Sequence, residues 1–307
     1  MKTNSSNFKK LVFYTASLLI FVIFIGCNPE KPVTPTQQLV EETPAAATPT
    51  PVPTATEMPA ALRVNGQPVL LTDYESELAR LKALNAGFEQ PLPEDILKQR
   101  VIEELIGQSL LAQAAIQGGF EISQEQLQSY IEELTQKAGG QAAFQEWMQK
   151  NGFQEETFNQ IVTRQLAAAW QRDLLIDQFP YTAPQVHLSQ MLLYDLTTAR
   201  DAYARLQSGT DFDTLAKFYD SQTGGELGWI PAGYLTQPEV EKAAFELTPG
   251  QYSEIIESKI GFHIIKVIER QEDRPLTGEA RQILLHAFID NWIGEQKDNA
   301  VIEINIP

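Results

Sequence analysis

The side chains able to do acid–base, nucleophilic or metal chemistry are few in this sequence of 307 residues. It contains three histidines, His187, His263 and His286, and one cysteine, Cys27. The histidines lack the spacing of a zinc site, and neither a Walker phosphate loop nor a Gly-x-Ser-x-Gly elbow occurs. His286 falls within an amphipathic segment, where a surface or core role is favoured over a ligand role. We therefore expect no metal and no other cofactor.

Cys27 ends an N-terminal segment that is typical of an export signal. Three lysines precede a mostly apolar run, Leu11–Ile25. The run is shorter than the ~20 apolar residues that cross a bilayer, so residues 1–26 are predicted to be a signal peptide. The residues Phe24–Cys27 resemble a bacterial lipobox, which implies lipid on Cys27 and a position at the outer face of the cell membrane. An uncleaved N-terminal anchor is the alternative.

The charge balance restricts the partners of the chain. Its net charge is −17 at pH 7, which argues against nucleic acid as a partner. An anionic lipid surface would also repel it, so contact with the membrane is expected to depend on the lipid. Because no second cysteine is available for a disulfide, the fold must rest on its apolar core.

A proline-rich segment follows the cysteine. Residues 28–60 hold eight of the 18 prolines, interleaved with threonine, alanine and glutamate. Such a composition cannot bury enough apolar surface to fold and tends toward extended polyproline II. Residues 27–60 are therefore predicted to be a lipidated tether, which at ~3.1 Å per residue reaches roughly 100 Å.

Residues 61–180 are predicted to be nearly all helix after a short hairpin. Asn65-Gly66 separates two apolar runs and favours a β-turn, and Thr72 with Glu75 suggests a capping box for the first helix. Ser123 with Gln126 predicts a second box. The apolar stripes of these helices are expected to be core faces, although one stripe could instead form a groove for apolar client segments.

The segment 179–184, with two prolines, predicts a domain boundary. Beyond it, strands near 186–193, 252–256 and 262–268 alternate with short helices. A final amphipathic helix over 277–298 and a terminal strand need a partner. We expect residues 272–307 to return to the helical domain and pair with its unpaired first strands.

The stretch from Val186 to Glu269 resembles a parvulin, the small prolyl isomerase domain. The resemblance rests on four motifs in this order: DFDTLA at 211–216, GGELGW at 224–229, AAFELTPG at 243–250 and GFHIIKV at 261–267. It implies an α+β fold in which residues 181–271 form a β-α-β domain with a four-stranded, mostly antiparallel sheet.

The flanking helices resemble the chaperone domain of SurA/PrsA-type extracytoplasmic foldases. The matching pieces are VNG at 64–66, VIEELI at 101–106 and GFEIS at 119–123. In that family the segment after the isomerase domain returns to the chaperone domain, in agreement with the strand-pairing argument.

The resemblance also implies the polar groups of an isomerase site. His263 matches the second of two parvulin histidines, and Gln190 takes the place of the first. His187 lies three residues earlier, and an odd offset on a strand puts it on the opposite face. Asp220 is the candidate for the family's cysteine or aspartate position, but its loop is several residues shorter than in typical parvulins.

The apolar pocket for the proline ring is expected from Leu235, Val240 and Phe245, with Met191 beside Gln190. We expect Phe245 to be the main contact, because the spacing near Leu235 is one residue longer than in related domains.

The sequence thus predicts a membrane-anchored foldase that binds unfolded exported chains and isomerises their X-Pro bonds. Two alternatives stay open: a catalytically silent parvulin domain in a holding chaperone, and a surface lipoprotein that binds a small solute.

Overall fold

The structure is a computed structural model of the chain and describes residues 59–306. The predicted signal peptide, Cys27 and almost the whole predicted tether lie outside these residues. The described chain divides into two compact units. One comprises the residues up to Asp173 together with those from Glu295 onward, and the other is Leu174–Gly294.

The first unit combines a small sheet with five helices. Its strands are β1 (Ala60–Val64), β2 (Gln67–Leu70) and β7 (Ile302–Ile304), and its helices are α1 (Leu71–Asn85), α2 (Glu94–Gln117), α3 (Gln124–Lys137), α4 (Gln141–Lys150) and α5 (Glu155–Gln178), which continues into the second unit. The antiparallel sheet has the order β2-β1-β7. The predicted return of the terminal strand to the first hairpin is therefore confirmed.

Asn65 connects the hairpin turn to the terminal strand. Asn65 and Gly66 have φ angles of 51° and 79°, the positive values that a tight β-hairpin turn needs at both central residues. The side-chain oxygen of Asn65 accepts a hydrogen bond from the amide of Val301 at 2.9 Å, and its amide group donates to Gln113 of α2 at 2.8 Å. One turn residue thus fixes β7 and α2 to the same end of β1.

The helices of the first unit begin for different physical reasons. Ser123 and Gln126 form the predicted capping box of α3. The box predicted at Thr72 is wrong: α1 begins directly after β2, with Leu70 at the N-cap and no side-chain cap. The helix follows β2 without a loop, and the amide of its first residue, Leu71, still donates to Pro59 O at 2.8 Å, just before β1. The end of β2 therefore sets the start of this helix.

The apolar stripes of α3, α4 and α5 meet in one core. This cluster consists of Tyr130, Ile131, Leu134, Ala138, Phe144, Met148, Phe158, Val162, Leu166 and Ala169. Most of the predicted stripe residues are therefore core residues. Within residues 59–306, no helix is long and apolar enough to span a membrane.

The second unit contains β3 (Thr182–Leu193), α6 (Leu196–Gln207), α7 (Phe212–Tyr219), β4 (Glu226–Pro231), α8 (Pro238–Glu246), β5 (Ile256–Ser258), β6 (Gly261–Pro275) and most of α9 (Gly278–Asp298). Its four-stranded sheet has the order β4-β3-β6-β5, and every neighbouring pair is antiparallel. With the helical first unit, this sheet confirms the predicted α+β class.

Helices cover both faces of this sheet and create two cores. The α6/α7-side core contains Met191, Leu193 and Ile264 with residues of α6 and α7. The α8-side core contains Val186, Leu188, Ile265 and Val267 with residues of β4 and α8. Since successive strand residues point to opposite faces, these two cores tell which face each side chain of β3 and β6 occupies.

The second unit extends beyond residues 181–271 at both ends. Phe179, at the end of α5, packs on Phe288 of α9 with ring centroids 5.4 Å apart. Arg281 of α9 donates to the carbonyl oxygens of Ile176 and Phe179, each at 3.2 Å. These contacts hold the last turn of α5 to α9 within one compact unit.

The strand predicted near 252–256 lies a few residues later. Tyr252 contributes an isolated bridge to Lys266, and β5 begins at Ile256. The cause is the buried Ser253, whose hydroxyl oxygen accepts from the amide of Ile265 at 3.0 Å. The Ser253 side chain thus accepts the hydrogen bond from Ile265 that a backbone carbonyl would accept in a regular strand.

Gly225 allows β4 to approach β3 beside Gln190. The amide of Gln190 donates to Gly225 O at 2.7 Å. A Cβ atom on Gly225 would lie 2.2 Å from Gln190 O, and φ is +79° at this position. Both the close contact and the left-handed backbone therefore require glycine.

We expect Gly225→Ala to destabilise the second unit more than Gly228→Ala does. Gly228 has a similar φ of +74°, but a Cβ atom there would meet nothing within 4 Å. The control should cost about 1–2 kcal/mol of left-handed strain, and Gly225→Ala about 1–3 kcal/mol more for the overlap. Urea unfolding followed by near-ultraviolet circular dichroism measures the difference, and equal losses would contradict the close approach.

Candidate active site

Gln190 and His263 meet on the α8 side of the sheet. Gln190 follows Leu188 at an even offset on β3, and His263 precedes Ile265 at an even offset on β6, so both share the face of the α8-side core. Strand register places Gln190 opposite Ile265 and Leu192 opposite His263. Gln190 and His263 are thus diagonal neighbours, and Gln190 Oε1 lies 3.3 Å from His263 Nδ1.

Ser258 completes a chain of three polar side chains. Its hydroxyl lies 2.7 Å from His263 Nε2 and 3.2 Å from both Gly261 O and Ile260 N. Our sequence reasoning missed Ser258, because β5 was placed too early. The available signal was its position opposite Gly261 in the β5–β6 hairpin, on the same face as His263.

His263 is neutral in this environment. Its side chain is 2% exposed, and burial lowers the pKa of the imidazole below its ordinary 6.5, while the carboxylate of Glu239 offsets part of the shift. Both ring nitrogens have hydrogen-bond partners, so the ring is held in one orientation.

Apolar side chains cover the same face of the sheet as this polar chain. Val240 of α8 is 2% exposed and belongs to the α8-side core, and Leu235 packs against the same core while half-buried. The carboxylate of Glu241 accepts from the amides of Gly233 and Leu235, each at 2.8 Å. Glu241 thereby fixes the loop that carries Leu235 to the first turns of α8.

Phe245 lies toward the other end of the sheet. The guanidinium of Arg270 stands 5.8 Å from the Phe245 ring centre and donates to Phe245 O. Arg270 is seven residues beyond His263 on β6, a separation of about 20 Å at ~3.3 Å per residue. Phe245 packs against the α8-side core, and its contacts with Arg270 place it nearer the Arg270 end of β6 than the His263 end.

Met191 faces away from the candidate site. It is 1% exposed and belongs to the α6/α7-side core, because it follows Gln190 by one residue and strand side chains alternate. It has no free surface for a substrate and is not part of the proposed site.

Asp220 is engaged in its own turn. Its carboxylate accepts from the amides of Gln222 at 3.0 Å and Thr223 at 3.1 Å, and from the Thr223 hydroxyl. The hydrogen bond from that hydroxyl is the main cause that lowers the pKa of Asp220. These bonds shape the turn before Gly225, and a catalytic role of Asp220 stays a prediction.

The other histidines lie elsewhere. His187 stacks on Trp229 with ring centroids 5.3 Å apart and bonds to Glu226. It lies between Val186 and Leu188 of the α8-side core, so it occupies the opposite face, as the odd offset predicts. His286 is exposed on α9. Within residues 59–306, no group of three or more potential ligands is placed to hold a metal ion.

Comparison with known proteins gives matches to two sequence families. Residues 196–269 match the PPIC-type PPIASE domain, and residues 3–171, more than half of the chain, match the SurA-like N-terminal domain. The first match confirms the predicted parvulin-type peptidyl-prolyl cis-trans isomerase domain, and the second agrees with the resemblance of the helical part.

The chain is also similar to foldase proteins of other bacteria. The chain is 29% identical over 209 residues to foldase protein PrsA 4 of Bacillus cereus, covering 64% of this chain and 71% of that protein. It is 29% identical over 202 residues to foldase protein PrsA of a Geobacillus species, covering 61% and 70%. A crystal structure of the peptidylprolyl isomerase PrsA from Bacillus cereus aligns with a TM-score of 0.42 at 23% identity, over 75% of this chain and 84% of that one.

The depressed pKa of His263 predicts a specific pH response. Between the folded pKa and 6.5, the unfolded chain binds a proton that the folded chain does not, so stability is complete above pH 6.5 and falls as the pH drops through this window. The imidazole resonances of His263 should titrate with a midpoint below 6.5. The variant His263→Gln should lose this part of the pH dependence of unfolding, and a midpoint above 6.5 would contradict the burial argument.

Proposed function

Because the chain belongs to the family of proteins with a SurA-like N-terminal domain and also contains a PPIC-type isomerase domain, we propose that it is an extracytoplasmic foldase. It binds unfolded exported chains and isomerises their X-Pro bonds. The observation that carries this proposal is the Gln190–His263 pair on the same face of the sheet as the apolar side chains of Leu235 and Val240.

Prolyl isomerisation requires no acid–base or covalent step. Rotation about an X-Pro bond has a barrier of ~18–20 kcal/mol and breaks no covalent bond. A catalyst needs an apolar place for the proline ring and a hydrogen-bond donor that the twisted amide uses better than the planar one does. No group has to change its charge during the rotation.

The site fits this requirement even though Gln190 replaces the first of the two parvulin histidines. His263 is buried and neutral, and Gln190 is neutral at every ordinary pH, so the polar floor supplies hydrogen bonds without a net charge. Leu235 and Val240 supply the apolar side. Glutamine in place of histidine removes a titrating group that the rotation does not need.

We assign the holding of apolar client segments to residues 61–180 with 272–307, and the isomerase role to 181–271. A rigid apolar tip supports the first assignment. Leu84, Phe88 and Leu92 are 56%, 66% and 38% exposed around the connection between α1 and α2. The side chain of Asn85 bonds both N and O of Leu92, at 2.9 and 3.0 Å, and so fixes this connection. A fixed apolar surface is suited to transient contact with unfolded chains.

A catalytically silent parvulin domain is the second candidate. The observation that favours it is the state of Asp220, whose carboxylate is already occupied by its own turn. The site then lacks both the first histidine and a free acidic group. In this reading the domain binds X-Pro segments and leaves their rotation rate unchanged.

The membrane position is proposed from the sequence outside the described residues. Lipid on Cys27 and the proline-rich tether place the folded units at the outer face of the cell membrane, next to newly exported chains.

We expect the protein to accelerate the proline-limited refolding of a client, and His263→Ala and Gln190→Ala to reduce this acceleration. Losing a positioned hydrogen bond of about 0.5–1.5 kcal/mol corresponds to roughly a two- to tenfold fall in rate. His187→Ala is the matched control, because His187 lies on the opposite face and should leave the rate unchanged.

The same samples separate the two candidate functions. All variants should suppress aggregation of the unfolded client equally, because the tip around Phe88 is untouched. Suppressed aggregation with no acceleration by the wild type would favour the silent domain instead.

We also expect the mature protein to begin at an acylated Cys27. Mass spectrometry of the protein purified from the membrane should show an N-terminal peptide that carries acyl chains on Cys27, and Cys27→Ala should abolish labelling by fatty acid. A mature chain that begins before Cys27 with a free thiol would support the uncleaved anchor.

A further inference from the structure

The chain Ser258–His263–Gln190 has a direction, which follows from counting protons. The Ser258 hydroxyl has one proton and two lone pairs. One lone pair accepts the amide of Ile260 at 3.2 Å. The proton then goes either to Gly261 O at 3.2 Å or to His263 Nε2 at 2.7 Å.

The distances favour the histidine as the acceptor. Hydrogen bonds from a hydroxyl to an oxygen are commonly about 2.7–2.8 Å long, and those from an N–H group to an oxygen about 2.9–3.0 Å. The 2.7 Å contact to Nε2 therefore fits a hydroxyl donor better than an imidazole N–H donor. The 3.2 Å contact to Gly261 O is longer than is usual for a bond that a hydroxyl donates. If the hydroxyl donates to Nε2, that nitrogen is unprotonated. Neutral His263 then carries its proton on Nδ1.

The Nδ1 proton sets the orientation of the Gln190 amide. Gln190 Oε1 lies 3.3 Å from Nδ1 and accepts that proton, which turns the amide nitrogen away from His263. Among the described residues, no side chain or backbone group accepts from Gln190 Nε2, and this nitrogen is not among the buried atoms without a partner. Its two protons are available on the face that carries Leu235 and Val240.

This direction matters because of the substrate. The nitrogen of an X-Pro bond has no hydrogen, so the bond can accept a hydrogen bond but cannot donate one. The reverse chain would put a proton on Nε2, turn the Gln190 amide nitrogen toward Nδ1 and present Oε1 to the substrate. An acceptor there would find no donor on the prolyl bond.

We propose that Ser258 is a positioning residue that holds His263 in the Nδ1-protonated form, and that Gln190 Nε2 is thereby the hydrogen-bond donor to the X-Pro segment. This inference rests on the proposed isomerase function for its substrate. The arrangement of protons itself is independent of that function and can be measured without it.

Nitrogen-15 NMR of the full mature protein at pH 7.5 tests the arrangement. We expect the His263 Nδ1 shift of a protonated ring nitrogen and the Nε2 shift of an unprotonated one. Ser258→Ala should shift the ring toward a mixture of both forms, and Ser258→Thr should restore the wild-type pattern. Ser253→Ala is the matched control, because this buried serine also bonds β6 but does not touch His263. A wild-type ring protonated on Nε2 would overturn the inference whatever the activity.

The donor role is tested on the substrate side. Gln190→Glu keeps an acceptor for Nδ1 and removes the donor, so it should lower kcat/KM for a prolyl tetrapeptide about two- to tenfold. Ser258→Ala should also lower kcat/KM. Adding the peptide should also shift the side-chain amide resonances of Gln190. If the wild-type protein has no isomerase activity but the Gln190 resonances still shift with peptide, the proposed function is wrong and the donor role stands. If the peptide binds and the Gln190 resonances do not shift, the donor role is wrong.

Discussion

The pairing of β3 with β6 is the constraint on which the second unit depends. These two strands are the central neighbours of the sheet, and their register extends from Thr182 opposite Pro275 to Leu193 opposite Phe262. This pairing is irregular between Ala183 and Gln185 and between His187 and Leu188, but its register is regular from Leu188 to Leu193. Because side chains alternate along each strand, this register assigns Met191 and Ile264 to one core and Leu188 and Ile265 to the other. The same register leaves Gln190 and His263 side by side at the end of the α8-side core. A slip by one residue would exchange the two cores and separate the polar pair.

The site is held by neutral groups, although the chain as a whole is strongly acidic. Burial disfavours the charged imidazole of His263, and its partners Ser258 and Gln190 carry no charge. Such a network costs little in a low-dielectric environment as long as each polar atom has a partner. Its geometry therefore should vary little across the pH range above 6.5, where His263 has no proton to gain.

The parts predictable from sequence were those set by local chemistry or by alternation. The Asn65-Gly66 turn and the Ser123 cap depend on a few adjacent residues, and the opposite faces of His187 and Gln190 follow from the strand period. Parts that depend on distant packing were not predictable. Ser258 was missed because Ser253 displaces the start of β5, and the position of Phe245 depends on the course of α8 and on Arg270. The helix start at Leu71 is set by continuity with β2 rather than by Thr72.

The hydrogen bond between Asn65 and Val301 joins residues 236 positions apart in the chain. The sheet that β7 completes therefore cannot close until the residues near 300 are available to fold. By contrast, the four-stranded sheet lies within residues 182–275 and contains all its own strands. During export it can form before the first unit is complete, because its contacts require shorter loop closures. The second unit can thus reach its fold while the sheet of the first unit still lacks its last strand.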